Sequence, residues 1–171
     1  MSRTFRFRGI SACVALAAML VSGGVSANTN GPSGLPLPRF VSLKSAKANV
    51  RVGPGTDYDI KWTYVRRGLP VEIFEEYGNW RRIRDWSGEA GWVLSALLSG
   101  RRTALVEPWT GGVPAQLRTG PGGSVVAVLE PGVAVRLHEC DGKWCQGSAK
   151  SLSGFVRQNR LWGVYPGERF D

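Results

Sequence analysis

From residue 47 onward, apolar and polar positions alternate in short runs, and each run is closed by glycine, proline, asparagine or serine. A period of two marks strands whose successive side chains face opposite sides of a sheet. The pattern predicts strands over Lys47–Val52, Ile60–Val65, Val71–Tyr77, Trp80–Asp85 and Ala90–Val93. Turns are predicted at Gly53-Pro54-Gly55, Arg67-Gly68, Gly78-Asn79 and Ser87-Gly88, since glycine and proline punctuate a sheet most sharply. No segment sustains a helical apolar period beyond one turn at Leu94–Leu98. The fold class is therefore all-β, a small barrel or sandwich.

The pattern occurs twice. Asn49–Gly55 reads NVRVGPG and Leu117–Gly122 reads LRTGPG. Behind these copies, Gly68 aligns with Gly132, Val71 with Val135, Ile73 with Leu137, Gly78 with Gly142 and Trp80 with Trp144, all at one offset. A one-residue deletion then aligns Gly91-Trp92-Val93 with Gly154-Phe155-Val156. The loop after Gly-Pro-Gly is shorter in the second copy. A spacing change confined to a loop, with strands in register, is the signature of duplicated units. The repeats run over residues 40–100 and 103–163. Units of this size lie near the lower limit for folding alone, so they are expected to pack together.

The two ends read differently. Arg3, Arg6 and Arg8 precede the apolar run Ile10–Val21, and Val25-Ser26-Ala27 supplies a cleavage site, so residues 1–27 read as a signal peptide for the Sec route. Cys13 lacks lipobox spacing, and the apolar run is too short for a stable membrane anchor after cleavage. Residues 28–39 (NTNGPSGLPLPR) form a Pro/Gly linker, either a plain spacer or an extended arm able to dock on the protein's own groove. The polar tail, residues 164–171, is expected to lie along the second unit or to fray. Export places the protein in the periplasm or outside the cell. The formal charge of +9 falls to +6 on cleavage. A basic chain suits anionic partners such as cell-wall polymers, acidic lipid headgroups or acidic proteins; solubility alone is the other reading. An exported chain is not expected to bind nucleic acid.

The four elements NVRxGPG, a glycine turn before a hairpin, a Gly-x-Trp strand and a Gly-aromatic-Val strand resemble the bacterial SH3-like (SH3b) family. Both repeats carry all four. The order of leader, LPLPRF linker, two units and WGVYPGE tail is similar to small two-repeat periplasmic SH3-like proteins. The resemblance implies two tandem SH3-like small β-barrels. It also implies a non-catalytic binding module for peptidoglycan or an envelope peptide.

Alternation sorts the candidate binding residues. Trp80 and Ile83 are three apart, and Trp92 and Val93 are adjacent, so each pair points to opposite faces. Placing the aliphatic Ile83 and Val93 inside leaves Trp80 and Trp92 together on the outer face. Trp144 and Phe155 occupy the matching places in the second unit, where Gly147 replaces Ile83. In SH3 domains such aromatic positions line the groove for extended ligands, and Tyr58 would form a third wall. These aromatics could instead close the barrel or pack between units. Trp62, Trp86, Trp109 and Trp162 have no aromatic counterpart in the other repeat, and Trp109, at the junction, is expected to pack there. Arg51 and Arg118 match across repeats, and each is expected to hydrogen-bond loop backbone.

Cys140 and Cys145 flank a hairpin turn and are expected to form a disulfide in an exported protein. The rival is a partial zinc site with His138, read as facing the same way as Cys140. Catalysis and cofactors are not expected. His138 is the sole histidine, and no element brings a nucleophile to it. The Glu75-Glu76 pair has no cleft in which to act on a sugar. The function read from the sequence is recognition of cell-wall peptidoglycan or an envelope peptide through aromatic groove residues. A protein-interaction adapter that holds or regulates an envelope enzyme is the alternative.

Overall fold

A computed structural model describes residues 29–109 and 111–171. The segment read as a signal peptide lies outside the described residues. The chain is almost wholly antiparallel β. A two-residue-strand hairpin, β1 (Thr29–Asn30) and β2 (Pro36–Leu37), comes first.

The first sheet contains β3 (Arg39–Leu43), β4 (Ala48–Arg51), β5 (Ile60–Tyr64), β6 (Pro70–Tyr77), β7 (Trp80–Arg84), β8 (Ala90–Leu94) and β9 (Leu98–Ser99). Its order is β5-β4-β8-β7-β6-β3-β9. The second contains β10 (Thr103–Val106), β11 (Ala115–Arg118), β12 (Val125–Leu129), β13 (Ala134–Asp141), β14 (Trp144–Ala149), β15 (Leu152–Arg157) and β16 (Leu161–Trp162). Its order, β12-β11-β15-β14-β13-β10-β16, repeats the first strand for strand. A final strand, β17 (Arg169–Phe170), pairs with the far end of β13. Each unit is thus a curled sheet around its own core, the expected tandem of small barrels.

The five strands read from alternation are present within a residue or two at their ends. The helical turn survives as the 3-10 turn Ser95–Leu97, and Gln158–Arg160 forms its counterpart in the second unit. Ile83 and Val93 are fully buried in the first core, with Val50, Val71 and Ile73 around them. Leu117, Val135, Val156 and the disulfide-bonded Cys140 and Cys145 fill the second. The cores are not independent, because Leu105 of β10 and Ala134 of β13 pack into the first one.

An aromatic stack joins the units. The Phe40 ring lies 5.1 Å from Trp162 and 4.8 Å from Tyr165, and Trp162 lies 6.3 Å from Trp86. The tail does not fray. Glu168 pairs with Arg102 at 2.7 Å, and Gln158 Nε2 donates to the carbonyls of Tyr165 and Glu168. The linker is no spacer either. Ser33 donates from its backbone N–H and its hydroxyl to Glu76, both at 2.8 Å, so the hairpin caps the far end of β6. It docks, but on a carboxylate and not on an aromatic groove. The N-terminal hairpin and the C-terminal strand therefore cover corresponding ends of β6 and β13.

Candidate functional site

The turns of the Gly-Pro-Gly motif are built differently in the two copies. Gly122 adopts φ 75°, which glycine alone reaches without strain. Gly53 is needed for space: a Cβ there would sit 2.4 Å from the Tyr58 ring, which lies across the turn. Arg51 and Arg118 hold these loops as expected. Arg51 Nη1 donates to the Tyr58 carbonyl at 2.5 Å, and Arg118 Nη1 to the Gly123 carbonyl at 2.6 Å. The glycine of the Gly-aromatic-Val motif permits a close strand approach in both units. A Cβ at Gly91 would come 3.0 Å from the Arg51 carbonyl oxygen, and one at Gly154 would come 2.5 Å from that of Arg118.

The outer face of each β-hairpin carries a quartet of cross-strand partners. In the first unit Trp80 opposes Leu94 and Arg82 opposes Trp92. In the second, Trp144 opposes Arg157 and Gln146 opposes Phe155. All four aromatics thus lie on the expected face, but the two quartets differ in access. Trp92 is only 8% exposed. It opposes Arg51 as well as Arg82, so strands on both sides flank it. Trp92 is therefore no open wall of a groove. Tyr58 is 49% exposed over its own turn. The shallow cavity of about 360 Å³ beside Trp80 is lined by Lys47, Asn49, Arg51, Thr56, Leu94 and Leu97, without Tyr58 or Trp92. Trp80 and Trp92 are diagonal neighbours on one face, but they share no open cavity with Tyr58 here.

The second unit does bring its pair together. Trp144 and Phe155 line one cleft of about 400 Å³ together with Gln146 and the charged residues Glu139, Asp141, Arg169 and Asp171. Arg157 lies over the Trp144 ring, 4.5 Å from its centroid, which orients the indole by a cation–π contact. Asp141 anchors the turn that delivers Trp144. Its carboxylate accepts from the backbone N–H groups of Trp144 and Lys143, both at 2.7 Å, and those bonds hold its pKa below the usual carboxylate range. The tail residues Arg169, Phe170 and Asp171 complete this cleft. The sequence held no signal for them, because a short polar tail carries no period to place it.

Two other expectations change. A β-bulge between Leu137 and Glu139 breaks the alternation of β13. Leu137 and Cys140 therefore point inward, while His138 is exposed. With both thiols joined as Cys140–Cys145, the His138 zinc reading has no ligand set. Trp109, expected to pack at the junction, is 45% exposed. Trp62 and Trp86 pack against the first core, and Trp162 sits in the inter-unit stack.

The bacterial SH3 domain profile matches residues 44–100 and again 111–163, one match per curled sheet. The chain belongs to the bacterial SH3 domain family. A relative is YrvJ of Bacillus subtilis (strain 168), assigned by name alone as an N-acetylmuramoyl-L-alanine amidase. It is 33% identical over 137 residues, and the match covers 70% of this chain but 26% of that protein. This SH3 chain therefore spans about a quarter of its relative's length. Among solved structures, NlpC1 and NlpC2 from Trichomonas vaginalis each match at 14% identity and a TM-score of 0.34. Those matches cover 85% and 75% of this chain and 50% and 48% of theirs.

Proposed function

We propose that this protein is an exported, non-catalytic module that binds cell-wall peptidoglycan, chiefly through the Trp144–Phe155 cleft of its second unit. The observation that carries the reading is the convergence of these two aromatics beside Gln146 and charged residues. Exposed aromatic faces suit the apolar faces of saccharide rings and extended peptides, while amide and charged groups fix orientation. The family supports a binding module, and the amidase assignment of a relative that shares the SH3 region supports the wall as its setting. The first unit contributes less, since Trp92 is buried and Trp80 is the one aromatic lining its shallow cavity. The non-catalytic character is supported by His138, exposed at a bulge, and by two cysteines engaged with each other.

The test is sedimentation of the purified protein with isolated peptidoglycan, beside a Trp144→Ala, Phe155→Ala variant whose fold is checked by circular dichroism. The wild type is expected in the pellet and the folded variant in the supernatant. A wild type that stays soluble at moderate salt overturns the reading and directs attention to a protein partner. A folded variant that still sediments assigns binding to another surface.

A further inference from the structure

A second cavity, of about 650 Å³, lies between the two units and away from the aromatic clefts. Six cations line it: Lys44, Arg66 and Arg67 from the first unit, Arg101 from the connector, and Arg136 and Lys150 from the second. The lining holds no carboxylate. Among the described residues, none of these six side chains joins an ion pair, although seven such pairs occur elsewhere in the molecule. Like charges gathered around one concavity repel each other and weaken the compact state, so the arrangement works against the stability of the free protein.

The internal repeat shows where the two units differ in charge. In the first unit the cross-strand partners Glu72 and Arg84 form an ion pair. Their counterparts in the second unit are Arg136 and Ser148, also cross-strand partners and both in this cavity. Acid and base have become base and hydroxyl. Two further features mark the cleft. The Thr103 hydroxyl is buried there without a hydrogen-bond partner. Lys150 is held at φ 55°, the left-handed region, and is the single non-glycine so placed among the described residues. The two-residue turn between β14 and β15 requires it there and sets Lys150 at the edge of the cleft.

We propose that the inter-unit cleft is a binding site for a phosphorylated saccharide or polyol bearing two or more negative charges. The lining side chains offer guanidinium forks, ammonium groups and hydroxyls, all able to donate, and no carboxylate. Phosphate accepts on every oxygen and takes guanidinium two bonds at a time, whereas one carboxylate has too few oxygens to engage six cations. The volume is that of a small-molecule site and leaves room for more than one phosphate on a sugar-sized scaffold. Occupancy would draw Arg66 and Arg67 of one unit and Arg136 of the other onto one ligand and brace the pair. The site is separate from the Trp144–Phe155 cleft and stands whatever that cleft binds.

The experiment is calorimetric titration of the purified protein with fructose 1,6-bisphosphate, with fructose as the uncharged comparison. Vesicles of phosphatidylcholine containing phosphatidylinositol 4-phosphate present the same chemistry on a lipid. An Arg67→Gln, Arg136→Gln variant removes one cation from each unit, and Arg136→Gln alone changes one exposed strand position. Lys61→Gln, remote on β5 and paired with Glu89, is the control. The bisphosphate is expected to bind where fructose does not, with affinity falling as salt rises. Each arginine lost should weaken binding about tenfold or more, and Lys61→Gln should leave it unchanged. The unliganded double variant should melt no lower than the wild type and should lose the ligand-induced rise in Tm. Tighter binding to vesicles than to free bisphosphate identifies a lipid-borne ligand, and the reverse a soluble one; both uphold the site. Binding that survives in the variants, or no binding by either probe, overturns it.

Discussion

Arg81 Nε lies 3.1 Å from Glu76 Oε1, and the two residues are cross-strand partners where the second unit places Cys140 opposite Cys145. One duplicated hairpin is thus fastened by an ion pair and the other by a covalent bond. The ionic version needs support, since a carboxylate taken out of water loses its hydration. The support comes from outside the repeat. Arg39 donates to Glu76 at 2.6 Å, and Ser33 of the N-terminal hairpin supplies two more donors. The Glu76 side chain is 1% exposed.

Acid should loosen this arrangement. Burial alone would raise the Glu76 pKa, but the hydrogen bonds from Arg39 and Ser33 outweigh it and hold the group below the usual carboxylate value of 4.5. A carboxyl depressed on folding contributes stability above its unfolded pKa, and that share is lost as pH falls through the folded value. Urea midpoints should therefore drop steeply below about pH 4.5. Glu76→Gln should cost about 3 kcal/mol at neutral pH, leaving two guanidinium groups without their carboxylate, and should flatten the acid limb. An unchanged acid limb would show that Glu76 is not the group responsible.

The covalent fastening closes a short loop. For so few residues, the chain-entropy estimate of its contribution is about 2 kcal/mol. Cys140→Ser, Cys145→Ser, or reduction of the wild type, should lower stability by that order without unfolding the first unit. Denaturation followed by tryptophan fluorescence, with and without reductant, measures it. A loss several times larger would mean that the buried sulfurs matter chiefly as core packing beside Val135 and Val156.

Much of this was legible in the chain. Alternation located β4 to β8 and assigned Ile83, Val93, Trp80 and Trp92 to their correct faces, because side-chain direction in a regular strand is a local property. What failed was not local. The burial of Trp92 depends on neighbouring strands that pair only after the sheet curls. The outward turn of His138 depends on a bulge, also present between Ile73 and Glu75 in the first unit, which no composition rule marks. The hairpin over residues 29–37 and the tail strand β17 are fixed by long-range partners, among them Glu76 and β13, and neither segment carries an apolar period.

Truncating the two first-unit tryptophans should separate face from burial. Trp92→Ala removes a nearly buried indole and should cost about 3–5 kcal/mol. Trp80→Ala, at a partly buried position, should cost clearly less. Equilibrium unfolding of both variants checks the order. Equal losses would mean that Trp80 is held as tightly as Trp92 and that the first-unit cavity is a packing feature.

Tyr165 ties the tail to the first unit. Its hydroxyl donates to Glu72 Oε1 at 2.8 Å, Arg84 pairs with the other carboxylate oxygen, and its ring packs on Phe40. Tyr165→Phe keeps the ring and removes the donor to a buried carboxylate, so the loss should be about 1.5–3 kcal/mol. Alkali offers an independent reading. Burial first, and then the bond to Glu72, push the Tyr165 pKa up; burial and Asp85 do the same to Tyr64. A phenol raised on folding contributes stability below its unfolded pKa and loses it as pH climbs through the folded value. Wild-type stability should therefore decline above about pH 10. Tyr165→Phe should retain only the share due to Tyr64, whose hydroxyl donates to Asp85 at 2.8 Å. An alkaline limb identical in variant and wild type would show that the tail tyrosine is already free of Glu72 in solution.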